Sequence, residues 1–168
     1  MSKVFNGRYT AKTDQPFVVF LIGMRINKWQ RFDKWIPVVN AMPPMLITLF
    51  THPEKGFLHA EFYLKFTGPV LIQYWRSFEE LEQFARSPSD THLEAWKKFN
   101  RAIGADGSVG IWHETYTVNP DQFETVYDNM PRFGLGAAME HVEAVGRRET
   151  ARMRLASKNT HEHAAETK

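Results

Sequence analysis

From Phe17 to Ile26, apolar residues fill both alternating sets of positions, and most are β-branched or aromatic. That pattern predicts a central strand covered on both faces. Trp29, Phe32, Ile36 and Val39 then recur at three- and four-residue steps, which predicts a helix from Lys28 toward Ala41, capped by Asn27. Pro37 should kink this helix, and Pro43-Pro44 should interrupt it before a short turn over Met45–Phe50. The stretches 57–66 and 69–75 read as two strands joined at Thr67-Gly68, a hairpin. Ser77 and Glu80 form a capping-box signature ahead of Phe78, Leu81, Phe84 and Ala85 at helical spacing. Ser87–Asp90 breaks that helix, and a second should start near Thr91 with His92, Ala95, Trp96 and Phe99 on one face. A loop over Gly104–Gly107 leads into a strand over Val109–Val118.

The ends are less regular. Residues 1–15 are polar and read as an arm able to drape over a partner, and residues 16–140 read as the folded domain. Asn119-Pro120-Asp121 should open a short helical turn ending near Tyr127, whereas Asn129–Gly136 has no clear period. A helix is expected over 137–155, with Glu140 and His141 on a solvated face, followed by a polar tail from 156. The C-terminal region, 141–168, is thus a helix plus a disordered tail.

The order strand, helix, strand, strand, helix, strand is the split-βαβ arrangement, an α+β ferredoxin-like fold with a four-stranded antiparallel sheet. Helices cover one face of such a sheet. Two of the strands are apolar on both sides, so the uncovered face would expose a large patch, and a second copy packed sheet to sheet is the simplest cover. The expectation is a homodimeric α/β barrel with a pocket inside each subunit, between sheet and helices.

Composition narrows the function. Hydrophobic residues make up 43% and aromatics 14% of the 168 residues, enough for a real core and for an aromatic-lined pocket or interface. Lys plus Arg is 21 against 19 for Asp plus Glu, with no basic stripe to follow a phosphate backbone, so nucleic-acid binding is not expected. Cysteine is absent, which removes disulfides, thiolate metal sites and Cys nucleophiles together. Residues 1–8 lack the apolar core of a signal peptide, and the longest apolar run, Phe17–Met24, is far shorter than a membrane span. The reading is a soluble, cytoplasmic protein that binds no membrane. Gly104–Gly107 precedes a strand rather than following one, so it reads as a turn and not a phosphate loop. No serine sits in a nucleophile elbow, and His161 and His163 lie in the tail.

Several segments together resemble one family. They are Tyr74–Glu79, His92 with Trp96, Gly110–Tyr116, Tyr127–Pro131 and Gly134-Leu135, with Ile111–Tyr116 the most specific. This set is similar to the fumagillin-biosynthesis monooxygenase-like family, part of the dimeric α/β-barrel superfamily that includes the antibiotic-biosynthesis monooxygenases. The resemblance spans roughly residues 15–140. It implies oxidation of a small organic molecule. Superfamily relatives include oxygenases without a cofactor and haem enzymes such as aldoxime dehydratases and chlorite dismutases.

Strand parity sorts the candidate chemistry. Ile111, His113 and Thr115 share one face of the last strand, and Trp112, Glu114 and Tyr116 share the other. One set should face the pocket and one the dimer partner; parity does not say which. His113 and His92 are candidate bases, or axial ligands if haem is bound; the alternative for His113 is a buried imidazole bonded to backbone, and for His92 a helix cap. Tyr116 joins them as a candidate catalytic phenol. Tyr74, Trp96, Trp112 and Asn129 are candidate substrate contacts, as aromatic or polar groups within apolar surroundings. Three functions stay open: an oxygenase without a metal, a haem enzyme in the same pocket, and a dimer that only holds a hydrophobic ligand.

Overall fold

The computed structural model of the chain describes residues 2–86 and 106–156. The expected second helix carrying His92 and Trp96, and the tail from 157, lie outside the described residues. The chain divides into two compact units, one of residues 18–116 and one of residues 1–17 with 117–168.

The larger unit holds β2 (Phe17–Ile26), α1 (Phe32–Thr51), β3 (Phe57–Lys65), β4 (Gly68–Trp75), α2 (Phe78–Arg86) and β5 (Val109–Val118), with β1 (Phe5–Lys12) belonging to the other unit. Its sheet runs β3-β4-β2-β5, the strand order of a ferredoxin-like split βαβ. Pairing is antiparallel between β3 and β4 and between β4 and β2. The registers place Ala60, Gln73 and Phe20 on one rung. The strand and hairpin expectations therefore hold, because each strand is marked by its own β-branched and aromatic residues and the hairpin by Thr67-Gly68.

Helix α1 differs from expectation. It runs unbroken through Pro37, Pro43 and Pro44. Each proline removes a backbone donor, so the carbonyls four residues earlier, at Asp33, Val39 and Asn40, lose their helical partners. Asp33 and Asn40 are exposed, so water replaces those bonds at little cost. The expected apolar stripe is displaced as well. Trp29, Phe32 and Ile36 are exposed, whereas Val38 and Leu49 are buried against the sheet. The face that packs follows Trp35, Val38, Met42, Met45 and Leu49, a spacing of three and four that continues straight through the prolines. Asn27 does not cap this helix; its side-chain amide donates to the Gly107 carbonyl at 3.1 Å. Two clusters fill the space between sheet and helices. Val18, Leu49, Phe57, Trp75, Leu81 and Phe84 form one, and Met24, Ile26, Val38 and Val109 form the other.

The smaller unit corrects the reading of both ends. Residues 5–12 form a strand, β1, at the centre of a three-stranded sheet with β6 (Tyr127–Met130) and β7 (Glu140–Glu143). The stretch read as one helix over 137–155 is instead the end of α3 (Leu135–Ala138), then β7, then α4 (Ala151–Ala156). Local propensity favours helix at Ala137-Ala138, but pairing with a strand some 130 residues earlier (Tyr9 opposite Glu143) decides the outcome at β7. Arg154 is buried and donates to the carbonyls of Arg148 and Glu149 and to the Glu124 carboxylate, which fixes α4.

His141, expected on a solvated helix, is packed among rings. It stacks on Tyr9 (centroids 4.6 Å apart, planes 9° apart) and meets Phe5 edge-on. Gly136 makes this possible, since a Cβ there would come within 2.7 Å of the Tyr127 ring and 3.0 Å of the His141 ring. Both ring nitrogens of His141 are buried, and among the described residues neither has a hydrogen-bond partner. Burial, and then the Arg132 charge, holds its pKa below the usual imidazole value. The folded chain therefore resists a proton that the unfolded chain accepts. The stability at stake is full above the ordinary histidine value of about 6.5 and is lost as pH falls through the lower folded value. His141→Phe should keep the ring packing and remove this term. Thermal midpoints measured from about pH 7.5 to about pH 5 should fall more steeply for the natural protein than for the variant; parallel curves would contradict the assignment.

Among the described residues, no helix is long and apolar enough to cross a membrane.

Candidate functional site

A cavity of about 280 Å3 lies within the larger unit, between the sheet and both helices. Its sheet wall is Phe20 and Ile22 of β2, Gln73 and Trp75 of β4, and His113 and Thr115 of β5. Met42, Met45, Leu46 and Leu49 of α1 close one side, and Phe78, Leu81 and Phe84 of α2 another. At the start of α2 the Ser77 hydroxyl accepts from the Glu80 N–H at 3.2 Å, half of the expected capping box. The Glu80 carboxylate turns away to Arg76. That cap sets where Phe78 and Leu81 enter the wall. Two flexible thioethers and several rings give a pocket that adapts to an apolar ligand.

The polar groups are few. Gln73 is 5% exposed, and its Oε1 accepts the indole N–H of Trp75 at 2.9 Å. The His113 imidazole lies 5.7 Å from the Phe20 ring, inclined at 42°. Glu82 pairs with Arg86 at 2.8 Å on an exposed stretch of α2. An imidazole beside an apolar chamber can exchange a proton with a bound molecule, and an amide can orient one.

The structure resolves which face of β5 meets the cavity. His113 and Thr115 line it, and Ile111 packs on the Met24 and Val38 cluster. Trp112 and Tyr116 take the opposite face, and so does Tyr74, which alternates with the cavity residues Gln73 and Trp75. These three therefore do not line the cavity with His113. The Tyr116 hydroxyl donates to the Glu114 carboxylate at 2.6 Å, which raises the phenol pKa. The Trp112 indole lies across Gly23, where any Cβ would sit 2.8 Å away, and the Lys65 ammonium is 5.6 Å from its ring. Asn129 is in the smaller unit. It holds a positive φ of 53°, and its Oδ1 accepts the Gly7 N–H where the register between β1 and β6 shifts. Asparagine tolerates that backbone better than most residues, so its place in the sequence has a local cause. His92 and Trp96 lie outside the described residues.

Sequence reasoning passed over Gln73, Thr115 and the methionines of α1. Gln73 carried a usable signal, being the single polar position in the apolar run Val70–Trp75. Among the described residues no group of three or more His, Asp or Glu is placed to hold a metal ion. Were haem held here, His113 is the imidazole on the cavity wall that would serve as its axial ligand.

No curated protein matches the chain by sequence. Among solved structures, it is similar to aldoxime dehydratase OxdRE in complex with butyraldoxime, with a TM-score of 0.62 and 17% identity. The match covers 91% of this chain but only 44% of that one, and at such identity it shows the fold alone. A dimeric ferredoxin-like protein from an uncultured marine organism matches with a TM-score of 0.45 and 11% identity, over 62% of this chain and 96% of that one. The family model for monooxygenase af470-like proteins matches residues 17–135, more than half of the chain and all of the sheet that walls the cavity. The chain thus belongs to the monooxygenase af470-like family.

Proposed function

We propose that the protein is a cytoplasmic small-molecule oxygenase, of the fumagillin-biosynthesis branch suggested by its motifs, acting on an apolar or aromatic substrate. The observation that carries this reading is the apolar cavity with one imidazole, His113, on its sheet wall. An engineered cavity of about 150 Å3 binds benzene, so about 280 Å3 suits a molecule of roughly two fused rings. In this reading His113 takes a proton from a phenol or an activated C–H of the substrate. The electron-rich anion then reacts with dioxygen; one oxygen atom enters the product, the other leaves as water, and the substrate supplies the electrons. His92 is the second candidate base. The homodimer belongs to the same proposal. The face of the sheet opposite the cavity carries Tyr74, Trp112 and Tyr116 beside Val19 and Leu21, an apolar and aromatic surface of the kind a second copy would pack on.

The test is dioxygen consumption by purified protein given 1-naphthol or a related bicyclic phenol, with sedimentation mass read on the same preparation. Oxygen uptake matched to product by a colourless dimer is expected. A Soret band, or a stable monomer that retains ligand without turnover, would refute the oxygenase reading.

A further inference from the structure

Five polar side chains border the cavity: Gln73, Trp75, Glu82, His113 and Thr115. The polarity that Gln73 offers is set by its neighbour. An amide can turn its oxygen or its nitrogen inward, but an indole N–H can only donate. Trp75 stands two residues along β4 on the same face, fully buried, with its N–H 2.9 Å from Gln73 Oε1. The oxygen is thereby held toward Trp75, and the Nε2 amino group is left as the part of the amide offered elsewhere. Among the described residues it meets no acceptor, and Gln73 forms part of the cavity wall. The amino group borders the cavity and is not an orphan enclosed in protein, so an acceptor on a bound ligand can reach it.

We propose that Gln73 is the ligand-orienting donor of the cavity, and that Trp75 is the positioning residue that fixes its polarity. The inference rests on the reading that the cavity takes an apolar organic ligand. The rung of the sheet supplies the geometry. Gln73 pairs with Phe20, and the Phe20 ring is the one nearest His113. Gln73 and His113 thus stand two strands apart, about 10 Å between their backbones, with Phe20 as an aromatic floor between them. A flat two-ring molecule fits this span with a hydrogen-bond acceptor, such as a carbonyl oxygen, at the Gln73 end. Its reacting end then lies over His113. The cavity selects the acceptor-bearing orientation, and it discriminates against a donor at the Gln73 end.

Calorimetric titration with 1-tetralone and tetralin tests this, since the two differ mainly by one carbonyl. The quantity read is the ratio of their affinities within each protein, which cancels any general loss of folding. The ratio should favour tetralone in the natural protein, and Gln73→Leu should reduce it roughly threefold to tenfold, the worth of one net hydrogen bond. Trp75→Phe keeps the ring and frees the amide to turn. It should lower the ratio, which is read against tetralin in the same variant so that a change of the wall common to both ligands cancels; this keeps the proposal testable if Gln73→Leu does not fold. An unchanged ratio in both variants overturns the inference and leaves the cavity reading intact. If neither compound binds the natural protein, the cavity reading fails and this inference falls with it.

Discussion

Changing His113 to alanine should lower turnover of a bicyclic phenol by roughly 10²- to 10⁴-fold, the usual contribution of a positioned general base. The Michaelis constant should change far less, because the apolar walls that hold the ligand are left in place. Stability should stay within about 0.5 kcal/mol, since the side chain is exposed at the cavity and packs only on the edge of Phe20. A large fall in kcat with an unchanged thermal midpoint is the signature of chemistry at this residue. Equal activity in the variant would remove His113 from the mechanism and shift attention to His92. A parallel collapse of stability would mean that the imidazole serves the fold instead.

Trp75→Ala should produce the largest loss of stability. The side chain is fully buried in the cluster with Val18, Leu49 and Leu81, with the Phe57 ring at 5.4 Å and the Phe84 ring at 5.5 Å. Truncation of a buried tryptophan costs about 3–5 kcal/mol, and here it also strips the Gln73 oxygen of its donor. Against a total of about 5–15 kcal/mol for a domain of this kind, that is roughly a fifth of the stability or more. Denaturant melts should show a far lower midpoint. A shift under about 1 kcal/mol would mean that the cluster relaxes around the hole. The milder Trp75→Phe keeps most of the packing, which is why it can report on ligand polarity.

The fold was readable because strands announce themselves locally. The runs rich in β-branched and aromatic residues at 17–26, 57–66, 69–75 and 109–118 each needed only their own residues, and their order implied the sheet. Helix α1 was misread for an instructive reason. Treating Pro37 and Pro43-Pro44 as breaks hid the continuous spacing of Trp35, Val38, Met42, Met45 and Leu49, which the folded chain uses. Packing over the sheet outweighs three missing backbone bonds when two of the orphaned carbonyls belong to residues that face water.

Of the candidate site, the sequence supplied His113 and the pairing of faces along β5. It could not supply the side of the sheet on which the helices lie, because alternation leaves two equivalent assignments until the crossovers close over one of them. That choice sent Tyr74, Trp112 and Tyr116 to the face opposite the cavity and brought Gln73 into it. The same limit explains the smaller unit, where β1 and β7 become strands only by meeting each other across most of the chain. Residue types and their periods determined which segments are strands and which groups travel together. Only the tertiary structure decided which groups meet, since burial and long-range pairing depend on neighbours distant in the chain.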